Sequence, residues 1–319
     1  MVSFEDNLMF KEASSAKHKF KPIIVLLIFA LVFEVSSIIT NIICFPSMLV
    51  WGANELQEQM KSFDTDPNDF FGLYSQIMSS MPYYVTLFML LGTIGQIIAP
   101  IIYVTKIEKR SLGSMGFFKK NFFGRYGFGY AFGALVILAI GLISFAIGIT
   151  DISVSDTINP VIFLFFLGYL IQGTAEEVMC RGFLMISLRN SMKNKHRTLW
   201  SLIISALVFA LLHSLNPGIT VTAMLNLFVS GLFLGLLVLR YDNIWTACAA
   251  HSAWNFFQGH VLGSQVSGLG QTFSFFTSEP KGAELLTGGS FGFEGGLILT
   301  GVVLLACILL VFIPRRRKA

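Results

Sequence analysis

Apolar residues gather into eight runs, at 22–45, 83–105, 128–149, 160–188, 199–214, 220–239, 244–260 and 296–313, separated by segments that hold most of the charge. A helix needs about 20 mostly apolar residues to cross the hydrocarbon core of a bilayer. The pattern predicts an all-α fold, a polytopic membrane helix bundle of about eight transmembrane helices. The runs at 199–214 and 244–260 are short and interrupted by polar residues, as expected of helices that line a wet cavity rather than face lipid. The first run follows a stretch with Lys11, Lys17, Lys19 and Lys21, exceeds the apolar core of a signal peptide and lacks a small-residue exit. It is expected to remain as a membrane anchor.

The connections sort by charge. Lys and Arg fall on alternate ones: the N-terminal tail, 106–125 (Lys106, Lys109, Arg110, Lys119, Lys120, Arg125), 189–197 (Arg189, Lys193, Lys195, Arg197), Arg240, and Arg315 to Lys318. The other side receives only Lys61 and Lys281, with most of the acids, among them Glu55, Glu58, Asp64, Asp66, Asp69, Asp151, Asp156, Glu279, Glu284 and Glu294. Basic loops stay in the cytoplasm, so both termini are expected there. Three parts follow. Residues 1–105 hold the tail and two accessory helices with a long external loop, 106–260 a membrane core, and 261–319 a second external loop, the last helix and a basic tail. The second external loop is rich in Gly, Ser and Thr and is expected to be flexible.

Composition narrows the class further. Of 319 residues 54% are hydrophobic and 13% charged, against about 25% charged in ordinary soluble proteins. That excludes a soluble enzyme, a nucleic-acid binder and a disordered chain. No organelle signal is evident, which favours a bacterial plasma membrane. Cys44, Cys180, Cys248 and Cys307 lie in or beside apolar runs without CxxC spacing and read as small buried side chains. Gly129/Gly133 and Gly231/Gly235 give the small-xxx-small spacing of closely packed membrane helices.

Few ionisable groups remain at membrane depth: Glu34, Glu176, Glu177, Arg181, His213 and His251, with the polar Asn255. Each costs at least about 2.5–3.5 kcal/mol there, which makes each a functional candidate. Glu177 and Arg181 are four apart and share a helix face. Glu176 is rotated about 100° away, so the pairing leaves it free to face a cavity. His251 and Asn255 share a face in the same way. At about 1.5 Å per residue, Glu176 lies about 18 Å from the cytoplasmic end of its helix, His213 about 20 Å, His251 about 10 Å and Asn255 about 16 Å. All can meet near mid-membrane. A Glu and a His converging on one water can activate it for attack on a carbonyl, and a second His and an Asn can supply oxyanion donors. Glu176, His213 and His251 could instead hold Zn²⁺ with one open position.

Glu176-Glu177-x-x-x-Arg181, Phe209-x-x-x-His213 and His251-x-x-x-Asn255 stand in order on successive polar helices. This set resembles the CPBP family of CAAX-prenyl-protease-like and bacteriocin-processing (Abi) intramembrane proteases. The stretch Arg110 to Phe117 is similar to the segment that often precedes that core. The resemblance spans roughly 109–259 and implies an endopeptidase. Glu176 and His213 would activate water, His251 and Asn255 would stabilise the oxyanion, and Glu177, Arg181 and Phe209 would support the site. It implies no required cofactor, the alternative being a divalent ion such as zinc. Expected partners are a peptide or membrane-protein substrate and the lipid bilayer, with no nucleic acid. The site is expected to open toward the cytoplasmic half.

Other protease signatures are missing: there is no HExxH and no GxSG, and Tyr241-Asp242 has no GxGD to follow it. Asp242 reads as a solvated charge beside Arg240. Glu34 has no assigned role; pairing with Arg181 is one option and snorkelling in a cavity another. Two rival readings differ in class. In one, a non-enzymatic membrane immunity or sensor-scaffold protein uses the Glu-Arg-His cluster only to hold helices together. In the other, a transporter uses the carboxylates as an ion site, against which stands the absence of an internal repeat.

Overall fold

The computed structural model describes residues 4–63 and 69–313; Asp64, Asp66 and the basic run Arg315 to Lys318 lie outside them. A short helix, α1 (Leu8–Ser14), precedes α2 (Pro22–Trp51). A further helix, α3 (Phe70–Ser79), leads into α4 (Tyr83–Glu108) and α5 (Phe122–Ala146). Strand β1 (Thr150–Val154) follows, then α6 (Ile162–Ser191), α7 (Arg197–Leu211), α8 (Val221–Tyr241) and α9 (Trp245–Phe256). Strand β2 (Phe276–Pro280) and α10 (Leu297–Phe312) complete the order. A helix thus occupies every predicted apolar run. Five of them, α2, α4, α5, α6 and α8, are long and apolar enough to cross a membrane, whereas α7 and α10 are shorter apolar helices.

Helix α9 is the axis of the core. Every residue from Thr246 to Phe256 is buried, and α5 and α6 flank it. The close fit comes from glycine. A Cβ on Gly129 would stand 2.3 Å from the Thr246 carbonyl oxygen, and one on Gly133 would stand 2.1 Å from that of Ala250. Gly231 and Gly235 give α8 the same proximity to Ala206 and Leu202 of α7. Both small-residue pairs therefore pack helices, as their spacing predicts. Cys44, Cys180 and Cys248 are buried free thiols and Cys307 is partly covered.

Several expectations need correction. Helix α2 does not stop at Phe45 but continues through Pro46 to Trp51, because an apolar helix keeps its other backbone bonds internal and one proline does not end it. The seventh run does line a cavity, through His251, Trp254 and Asn255, and its hydropathy is lowered further by small residues in the protein interior (Ala247, Ala249, Ala250, Ala253). The fifth run is short and reaches the cavity only at its end, through Phe209, Leu212 and His213. Its outer face is apolar and exposed at Leu199, Leu207 and Leu211, as for a helix facing lipid. The second external loop is ordered by pairing. β2 runs antiparallel to β1, with Thr150 opposite Pro280 and Val154 opposite Phe276, and Phe291 and Phe293 are buried beneath it. Asp242 is no free surface charge: its carboxylate accepts from the Leu8 and Met9 N–H groups at 2.8 and 3.2 Å, capping α1. Glu34 is exposed on α2 and does not meet Arg181, whose partners are Glu177 and the Gly231 carbonyl.

Candidate active site

Helix α6 brings the acids. It changes from α to π geometry directly after Glu177, over Val178–Met185, and single π turns recur at functional sites. Arg181 Nη1 donates to Glu177 Oε1 at 2.7 Å and its Nη2 to the Gly231 carbonyl at 3.0 Å. The guanidinium also lies 4.5 Å from the centre of the Phe209 ring. Glu177 Oε1 takes a second bond, from His251 Nδ1 at 3.0 Å. This wholly buried group ties α6, α7, α8 and α9 together beneath the cavity.

Glu176 points the other way. Its Oε1 accepts from Gln172 Nε2 at 2.5 Å, and Gln172 Oε1 accepts from Asn255 Nδ2 at 2.8 Å. Its Oε2 is buried with no hydrogen-bond partner, 3.9 Å from His213 Nε2 and 3.7 Å from His251 Nε2. His213 sits on the turn after α7, not within the helix, and its Nδ1 bonds the Phe209 carbonyl at 2.8 Å. A carbonyl and a carboxylate only accept, so in each neutral imidazole the proton is on Nδ1. Both Nε2 atoms then present lone pairs toward Glu176 Oε2. Three acceptors converge at separations longer than a direct bond and suited to a bridging water.

All four candidate catalytic residues line one cavity of about 360 Å³. Its walls also include Met81, Asn216, Ser267, Leu269, Gln271 and Glu294, from connections on the acid-rich side of the bundle. The cavity is thus walled by connections of the acid-rich side, whereas its opening is expected from the sequence toward the basic side. That half is filled: Phe183, Leu184 and Leu188 are buried side chains beyond the Glu177–Arg181 pair.

Gln172 and Glu294 escaped the sequence reading. Gln172 had a signal, since it stands four residues before Glu176 on the same helix face. Glu294 lies in a loop without periodicity. Its Oε2 accepts from the Ser267 N–H at 2.6 Å, the Ser267 hydroxyl at 2.8 Å and Gln258 Nε2 at 3.3 Å. Burial pushes its carboxyl above the usual range, against the pull of the Ser267 donors. Among the described residues no group of three or more His, Cys, Asp or Glu side chains is arranged to hold a metal ion.

The carboxylate–histidine cavity thus sits inside a bundle whose longer helices are apolar enough to cross a membrane. Residues 158–257 match the family model described as Rce1-like, type II CAAX prenyl endopeptidase, a similarity that supports a CAAX-type intramembrane endopeptidase in general. The matched segment begins just before α6 and ends after α9, and so contains Glu176, His213, His251 and Asn255. No curated protein and no solved structure matches the chain.

Proposed function

We propose that the chain is a Glu/His-dependent intramembrane endopeptidase of about eight spans, with both termini cytoplasmic, in a bacterial plasma membrane. The observation that carries the mechanism is the unpartnered Glu176 Oε2 facing two imidazole Nε2 atoms. A water there donates one hydrogen to Glu176 and the other to His213 Nε2. Glu176 takes its proton as the water oxygen attacks the scissile carbonyl carbon, acting as general base. The oxyanion accepts from the Asn255 N–H not used by Gln172, and from His251 Nε2 once that ring holds two protons. Glu176 then returns the proton to the leaving amine as the C–N bond breaks. Gln172 keeps Glu176 in register throughout.

This chemistry needs no metal, and the substrate is a peptide or membrane-protein segment. Purified protein should cleave an apolar reporter peptide, and Glu176→Ala or His213→Ala should lower kcat/KM by about 10²–10⁴-fold. A metal chelator should leave the wild-type rate intact. Cleavage that survives both substitutions removes the mechanism.

A further inference from the structure

The cavity holds more carboxylate than fixed positive charge, its only basic groups being the imidazoles of His213 and His251 beside Glu176. Its lining includes two carboxylates, Glu176 and Glu294, and no Lys or Arg. Arg181, the cation nearest in sequence, is spent on Glu177 and Gly231. Among the described residues no Lys, Arg or His comes within ion-pair distance of Glu294. Its three donors all converge on Oε2, leaving Oε1 without a bond from them. A carboxylate kept in an apolar site without a countercharge is costly, and a cation placed beside it recovers much of that cost.

The carboxylate is also held rigidly. Asn226 Nδ2 donates to the Glu294 carbonyl at 2.8 Å and to the Gly296 carbonyl at 2.9 Å, which fixes the loop on α8. Gln258 stands in the π turn that continues α9 (Phe257–Val261), seven residues beyond His251, and Trp254 Nε1 holds its other end at 3.1 Å. Ser267, the other donor, is itself tied to the turn that bears His213, since Asn216 Nδ2 donates to the Ser267 carbonyl at 2.9 Å. Glu294 is thus a fixed charge on the wall of the same cavity as the proposed catalytic groups.

We infer that Glu294 is a specificity-determining residue, a subsite carboxylate that takes an ammonium or guanidinium group of the substrate close to the scissile bond. The inference rests on the endopeptidase reading above. A cavity of about 360 Å³ is near the small end of ligand sites, about 300–1,000 Å³, so a group held at Glu294 lies within a few residues of the bond at Glu176. The remaining walls are mostly apolar, with Met89, Leu90, Leu212, Leu227 and Leu234 among neutral polar groups such as Thr86 and Gln96. The substrate that fits is an apolar segment with one basic group, either a Lys or Arg side chain or a free N-terminal ammonium.

The test uses the full chain in lipid nanodiscs with a set of quenched fluorescent peptides. Each has an apolar Leu/Ala/Val background and one variable position carrying Lys, Met or Glu, and each is made with a free and with an acetylated N-terminus. The wild type should cleave the best Lys peptide with kcat/KM about tenfold or more above its Met counterpart, as expected when a polar partner is lost from a site built for it, and Glu peptides most slowly. An ammonium source at the N-terminus would instead show as a preference for free over acetylated peptides at every variable residue. In Glu294→Gln, which keeps the shape and an acceptor for Ser267, the Lys/Met or free/acetylated ratio should fall to about one, while Glu294→Asp should restore it. The readout is a ratio within one preparation, so loss of folded protein does not imitate it. Should Glu294→Gln not fold, the wild-type ratios still decide. Cleavage that depends on Glu176 but is equal for Lys, Met and Glu peptides and for both N-termini overturns the inference and leaves the endopeptidase reading standing. So does a preference that Glu294→Gln leaves unchanged. Absence of any Glu176-dependent cleavage overturns both.

Discussion

Two neighbouring carboxylates have opposite fates because one step along the helix rotates them about 100° apart. Glu177 is neutralised by Arg181 and His251, whereas Glu176 is aimed by Gln172 and keeps an oxygen free. The two settings make different predictions. Arg181→Met should destabilise the protein by about 3–5 kcal/mol, since it leaves a buried carboxylate unpaired, and the loss should show as a lower melting temperature in detergent. Gln172→Leu should leave melting nearly unchanged and lower kcat by up to about 10²-fold through misplacement of Glu176. A purely structural role for the cluster gives the same melting loss for Arg181→Met but no change in rate for Gln172→Leu. The sequence made the division between Glu176 and Glu177 legible because i,i+4 spacing fixes faces on a helix. It concealed Glu294, whose position depends on a chain of side-chain bonds between distant segments.

Among the elements, α9 shows why hydropathy and burial part company. Its residues are small and only moderately apolar, yet none from Thr246 to Phe256 is exposed, because α5 approaches through glycine. Gly133→Ala places a methyl group against the Ala250 backbone, which cannot yield as a side-chain tip would. A cost of about 1–3 kcal/mol is expected, measurable as a fall in thermal stability, and activity should fall with it since Ala250 adjoins His251. The N-terminal helix α1 was legible only as a charged tail. Its docking depends on contacts from three separate connections: Asp242, the Ser111–Glu12 bond, and Glu5 with Arg189 and Thr198. Burial raises the Glu5 carboxyl, but the Thr198 hydroxyl, Arg189 and Arg197 outweigh it and hold it below its ordinary 4.5. A lowered folded value contributes stability that is present above 4.5 and is lost as the pH falls through the folded value. Hydrogen exchange in Met9–Ala13 should therefore speed up, relative to the rest of the core, on acidification below about 4.5. Glu5→Gln should show the faster exchange already at pH 7.

At the scale of the whole molecule, charge and cavity together assign a direction to the chemistry. Helix positions followed from apolar runs alone, since lipid demands that backbone bonds close within each helix. The opening of the site did not, because the cavity walls belong to loops that carry no periodic signal. Lys and Arg mark one face of the bundle, and the loops around Ser267 and Glu294 belong to the other. If basic connections are cytoplasmic, the substrate reaches Glu176 from outside. The native cysteines are mostly buried, so single introduced thiols can report the two faces with little background. A membrane-impermeant maleimide added to intact cells should label Lys281→Cys on the acid-rich face and spare Lys195→Cys until the cells are lysed; both positions are exposed. Gln271→Cys, on the cavity wall, should react from outside as well, and an apolar peptide substrate should slow that reaction while leaving Lys281→Cys unaffected. Labelling of Lys195→Cys in intact cells would invert the topology. Protection of Gln271→Cys from the external reagent would move the entrance to the lipid-facing side between α4 and α6.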